Sequence, residues 1–192
     1  MTDAAPYINE WGMPEPPIAG NEADTLIGSL ERQRNTFAWK CRGVDAEAMR
    51  VTVGASTLTL GGLMKHLALV EAEKFVIMLL GENPGAPWNE VDWDKNPEWP
   101  WTSAADDSPE ELMDLWQRSV ARSRQVTSQV MAAGGLDTPT DYTTPDGQSP
   151  SLRRLLVDLI EEYARHTGHA DLIRESIDGL VGEDPPPGTP LP

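Results

Sequence analysis

The chain has 192 residues, 39% of them hydrophobic and 24% charged, with 31 acids against 15 bases for a formal charge of −16. That balance fits a water-soluble globular protein able to bury a substantial core, and it argues against nucleic acid or an anionic membrane as a partner. No apolar run approaches the ~18 residues of a membrane span, no leader peptide is visible, and one cysteine, Cys41, can form no internal disulfide, so a reducing cytoplasm is the expected home.

Four segments carry helical periodicity. The first runs from about Glu22 to Arg42, with Leu26, Leu30, Phe37 and Cys41 on or near one stripe that Ile27 and Arg34 broaden. Asn21 or Asp24 is the candidate cap. Cys41 reads as a core residue rather than a nucleophile. The stretch from Met49 to Leu60 alternates briefly but reads as an extended connection. The second helix spans about Thr59 to Leu80, where Leu60, Leu63, Leu67, Val70, Lys74 and Ile77 step by threes and fours before Gly81.

A long connection follows, roughly residues 82–107, holding Trp88, Trp93, Trp99 and Trp101. So many tryptophans argue against disorder, because their burial would hold the loop on the body. The loop reads as a packed cap over one end of the protein or as a wall or lid of a substrate pocket, and the two are compatible. The third helix opens on a capping box, with Ser108 as cap, Pro109 first in the helix and Glu111 three residues after the cap. It continues through Leu112, Leu115, Trp116, Val120 and Val126 to Met131, and Gly134–Gly135 stop it. The fourth opens at Ser149–Pro150 by the same logic and runs to about Ile177, before Gly179. Four helices of ~20 residues, each with one apolar stripe, predict an all-α four-helix bundle. The expected organisation is one domain over residues 1–181, including an N-terminal extension over 1–21, and a mobile Pro-rich tail over 182–192.

The chemistry concentrates in "EEYARHTGH", Glu161 to His169. Leu152, Leu155, Leu156 and Leu159 define the inward stripe of the fourth helix. Continued by threes and fours, it meets Glu162 and Tyr163, then His166, then His169 and Ala170. At ~100° per residue, Glu162 and His166 stand ~40° apart and Glu162 and His169 nearly in line, while Arg165 and Asp158 fall on the polar face. His66 repeats the anomaly in helix two, among Leu63, Leu67 and Val70, with Lys65 and Glu71 flanking. The chain has only three histidines, and all three map to inward stripes. A buried carboxylate needs compensation, and imidazoles with a carboxylate are a common ligand set for divalent ions.

The segments "LTLGGLMKHLALVEAEKF" and "EEYARHTGHADLIRESIDG", with the helix order and the long connection, resemble the DinB-like superfamily of four-helix-bundle metalloproteins over roughly Asp24 to Gly179. The nearest subgroup is actinobacterial. Much of the superfamily has a histidine where this chain has Glu162, and that departure is similar to the branch containing mycothiol-dependent maleylpyruvate isomerase. The resemblance implies His66, Glu162 and His166 as ligands to a divalent metal, zinc first, with nickel, iron or manganese as alternatives. His169 falls where many relatives carry glutamine. It is assigned to the catalytic neighbourhood, as a support for a ligand or facing substrate.

Three protein ligands leave a coordination position open, which is the catalytic pattern. The resemblance implies that the metal activates a low-molecular-weight thiol such as mycothiol, which attacks a small electrophile in a transferase or isomerase reaction. The alternatives are a metal-dependent hydrolase with His169 as base, and a non-catalytic metal-binding stress-response protein. An iron oxygenase shares the two-histidine, one-carboxylate set, but the bundle context argues against it. A homodimer rests mainly on the resemblance, with Leu112, Leu115 and Trp116 as the candidate surface.

Overall fold

The computed structural model describes residues 7–186. Four long helices dominate: α1 (Glu22–Cys41), α2 (Leu60–Ala72), α4 (Pro109–Ala133) and α5 (Leu152–Asp178). A five-residue helix, α3 (Trp99–Ser103), lies in the long connection. The architecture is all-α. Among the described residues the only sheet is an antiparallel pair of two-residue strands, β1 (Tyr7–Ile8) and β2 (Pro14–Glu15).

Side-chain caps set the helix starts. The Asn21 amide oxygen accepts from the Asp24 N–H at 2.9 Å, and Thr59 Oγ1 accepts from the Gly62 N–H at 3.0 Å. Ser108 and Glu111 form the reciprocal box that the sequence predicts. The start of α5 differs. Its cap is Ser151, two residues beyond Ser149, because the chain pairs with residues 138–140 first. Thr140 N–H donates to the Pro150 carbonyl at 2.7 Å and Leu152 N–H to that of Thr138 at 2.9 Å, holding Ser151 extended. Gly179 closes α5 in the left-handed region, at φ 77°.

Helix α1 packs chiefly on α5 and α2 on α4, and α2 also touches α5. Their apolar stripes meet in one core, with Phe37 from α1, Leu63 and Leu67 from α2, Leu112 and Val120 from α4, and Leu155 and Leu159 from α5. Leu112 and Trp116 are thus interior residues, not the association surface expected of them, and only Leu115 of that trio is partly exposed.

The second predicted helix changes pitch part-way. After Ala72 it widens into a π turn over Glu73–Met78. The wider turn slips the phase, so that Phe75 and Val76 are buried while Ile77, in step on the α-helical stripe, is 41% exposed. Of the stretch from Met49 to Leu60 expected to be an extended connection, Met49 and Arg50 close a 3-10 turn (Ala48–Arg50), and residues 51–59 lead into α2 without helix, with a turn at Gly54 and Ala55.

Both ends of the described chain are held on α1. Trp39 Nε1 donates to the Glu183 carbonyl at 2.8 Å, and Arg32 pairs with Asp184 at 2.8 Å and with Glu15 at 3.3 Å. The Asn9 amide donates to both Glu15 and Asp184 at 3.0 Å. Of the tail expected to be mobile, residues 187–192 lie outside the described residues, as do residues 1–6 of the N-terminal extension.

Candidate metal centre

His66, on α2, lies opposite Glu162 and His166, which stand one turn apart on α5. One donor atom from each of the three falls within 4.8 Å of the others. A single carboxylate oxygen, Glu162 Oε1, faces both imidazoles, 3.1 Å from His66 Nε2 and 3.4 Å from His166 Nε2. The two imidazole rings meet nearly edge to face, with centroids 4.8 Å apart. Tetrahedral ligation at ~2.1 Å would place donor atoms about 3.4 Å apart. The donor set and its spacing therefore fit a divalent ion.

The protonation states suit that use. Burial and the facing imidazoles, His66 before His169, hold His166 down to about 4 against the pull of Glu162, so it is neutral at physiological pH with a lone pair to offer. Burial pushes the Glu162 carboxyl up, but the His66 hydrogen bond and the His166 and His66 charges outweigh it and leave the group below its ordinary value. His169 reaches the far side of His166, Nδ1 to Nδ1 at 3.2 Å.

The tryptophan connection supplies a wall. Trp101 stacks on His66 with centroids 4.5 Å apart and planes 22° from parallel. Gly62, near the start of α2, permits the approach, since a Cβ there would stand 3.1 Å from the Trp101 ring. Trp99 packs edge-on against Trp88 and Trp93, and Lys65 clamps this cluster to α2. Its ammonium sits 4.2 Å from the Trp99 ring centre and 2.5 Å from Asp107 Oδ2. On another side, a cleft of about 400 Å³ opens between α2 and α5, with Val70, Lys74, Asp158, Glu161 and Arg165 around His66 and Glu162. Cys41 is buried, and burial pushes its thiol well above its ordinary range against the Arg174 charge, so it offers no nucleophile.

Sequence reasoning missed a second polar cluster beside the first. Glu71 is fully buried and takes a bidentate pair from Arg34, Nε at 2.8 Å and Nη2 at 2.6 Å. The Tyr163 hydroxyl donates to Glu71 Oε1 at 2.7 Å and accepts from Trp116 Nε1 at 2.8 Å. Burial and the Glu71 charge push the Tyr163 phenol well above its usual value, so it stays a donor. The signal was present: Glu71 follows Leu67 by one turn along the buried stripe, and Arg34 and Tyr163 occupy inward positions of their own helices. The stacking of Trp101 on His66 had no comparable signal.

Residues 25–179 match the family described as Mycothiol-S-transferase. The chain belongs to that family. It is a DinB-like family related to mycothiol enzymes, in agreement with the resemblance drawn from the two motifs. The match takes in α2, α5 and the whole histidine and glutamate cluster, and membership points to mycothiol S-transferase-like activity. No curated protein and no solved structure matches the chain. Among the described residues no helix is long and apolar enough to cross a membrane.

Proposed function

We propose that the protein is a metal-dependent S-transferase on a DinB-like four-helix bundle, joining a mycothiol-like thiol to a small electrophile. The observation that supports this most is the convergence of two imidazole nitrogens and one carboxylate oxygen beside an open cleft, in a chain of this family. His66 Nε2, Glu162 and His166 Nε2 would hold the ion, zinc first. A divalent ion held there supplies a Lewis acid that lowers the pKa of a thiol, so that it reacts as thiolate at neutral pH.

The chain's own residues do the rest. With Nε2 of His166 offering its lone pair, the ring proton sits at Nδ1 and is donated to His169 Nδ1, which leaves the His169 proton at Nε2. That bond fixes the His166 tautomer and ring orientation, which is the work of a partner to a ligating histidine. Stacking on Trp101 fixes the plane of His66 and keeps water from that side. The polar side of the cluster, through the cleft, is the route for thiol and electrophile.

The test is metal analysis of protein purified without chelator, comparing wild type with His66→Ala and Glu162→Ala. Wild type is expected to carry about one equivalent and both variants to lose it. Conjugation of an electrophile is then followed with and without an added small thiol. Absence of stoichiometric metal under any loading refutes the metal centre. Turnover without thiol replaces the transferase with a hydrolase, and metal without either activity with a binding protein.

A further inference from the structure

Of the 15 lysines and arginines, Arg165 alone has no hydrogen-bond or ion-pair partner among the described residues. In a chain with twice as many acids as bases, an unpaired guanidinium stands out. Its place is equally specific. It lines the cleft beside the histidine and glutamate cluster, next in sequence to His166 and one helical turn after Glu162. Side chains so spaced on a helix are neighbours, about 5–6 Å apart at Cβ. Glu161 lines the same cleft four residues before it, in the favourable order for an ion pair, yet does not bond to it. The other cation of the cleft, Lys74, is engaged with Asp158, which Arg154 also holds.

We infer that Arg165 is the substrate-binding residue that reads a carboxylate carried close to the reacting atoms of one of the two co-substrates. A planar guanidinium matches a carboxylate with two parallel N–H donors, a geometry that a lone arginine can complete. The surrounding acids, Glu73 and Glu161, repel an anion from the rest of the cleft and so direct it to this one position. The inference rests on the transferase reading for the identity of the ligands, though the anion site itself does not require turnover.

Two matched pairs of small molecules distinguish the source of the carboxylate. Iodoacetate and iodoacetamide are electrophiles of nearly one shape that differ in charge. In both, the thiolate sulfur forms a bond to the methylene carbon, the carbon–iodine bond breaks, iodide leaves with the electron pair, and the thiol proton passes to buffer. Mercaptoacetate and mercaptoacetamide are the corresponding thiols, and their binding to the metal-loaded protein is read by tryptophan fluorescence. The acid of one pair is expected to be preferred over its amide by about tenfold or more, after correction for the uncatalysed ratio. Arg165→Gln should abolish that preference with metal content and the handling of the amide unchanged, and Arg165→Lys should keep part of it. Preference within the iodo pair assigns the carboxylate to the electrophile, and preference within the mercapto pair assigns it to the thiol. Equal treatment of acid and amide in both pairs, or a preference that survives Arg165→Gln, overturns the inference. If neither electrophile is turned over, the transferase reading fails and the binding pair alone decides the role of Arg165.

Discussion

Two polar clusters lie side by side between α2 and α5, built from similar parts and finished in opposite ways. In the Arg34–Glu71–Tyr163–Trp116 cluster each polar group finds a partner within the protein, and all four residues are buried. In the His66–Glu162–His166 cluster one carboxylate oxygen faces two imidazoles, the carboxylate is about a third exposed, and a cleft opens beside it. A saturated cluster has no capacity left for a ligand, and it ties the helices together. A cluster whose acceptors converge without saturating is a site in waiting. Burial alone would have ranked them the other way, since Glu71 is the more deeply buried acid.

The comparison can be broken most forcefully at Glu71. Glu71→Ala leaves the Arg34 charge buried beside a lost partner and is expected to destabilise by about 3–5 kcal/mol. Urea unfolding of chelator-treated protein measures this. In the same state Glu162→Ala should shift stability by less than about 1 kcal/mol, as expected for a partly exposed pair. Equal losses for the two variants would erase the distinction.

At His169 the effect moves from stability to the ligand. His169→Ala removes the bond to His166 Nδ1 and is expected to weaken metal binding by about 10–100-fold, read by competition with a chromogenic chelator. An unchanged affinity would leave His169 facing substrate only. Tyr163→Phe deletes one hydroxyl from the saturated cluster, stranding Trp116 Nε1 and one lone pair of Glu71. A loss of about 1–3 kcal/mol with metal stoichiometry intact is the expected result. If metal binding falls with it, the two clusters are not separable.

The smallest expected effect is a pH dependence at the rim. Burial raises the Glu31 carboxyl, but the hydrogen bond from Arg124 and the charges of Arg34 and Arg124 outweigh it and hold the group below 4.5. A carboxyl lowered in the folded state adds stability that is present above its unfolded value and disappears as pH falls through the folded one. Wild type should therefore lose stability below about pH 4.5, and Glu31→Gln should flatten that acid limb. Parallel curves for the two proteins would remove Glu31 from the account.

Much of this was legible in the chain. The phase of α5 was set by Leu152, Leu155 and Leu159, and it carried Glu162 and His166 to the side where His66 meets them, because helical periodicity is a local property. What stayed hidden depends on neighbours. The π turn at residues 73–78 is a slip in pitch that no spacing announces, and it exposed Ile77 against expectation. Glu71 read as a flank of the His66 stripe, and its partners come from α1 and α5, which could not be chosen before the helix order was known. Trp101 sat among four loop tryptophans, and only the folded connection sets it, rather than Trp88 or Trp99, on His66. Leu112 and Trp116 were read as a surface because a helix with one stripe does not reveal what covers it.

The clasp on α1 has a further use. Asn9 and Asp184 share a hydrogen bond, and Arg32 joins Asp184 to Glu15, so positions distant in the chain are neighbours in space. A short linker could therefore join the chain near residues 9 and 184, and new ends could be cut in the exposed turn around Gly147, which holds none of the three candidate ligands. A circular permutant of that design would carry α5, with Glu162, His166 and His169, ahead of α1 and α2. It would deliver the two halves of the histidine and glutamate cluster to the folding chain in reversed order.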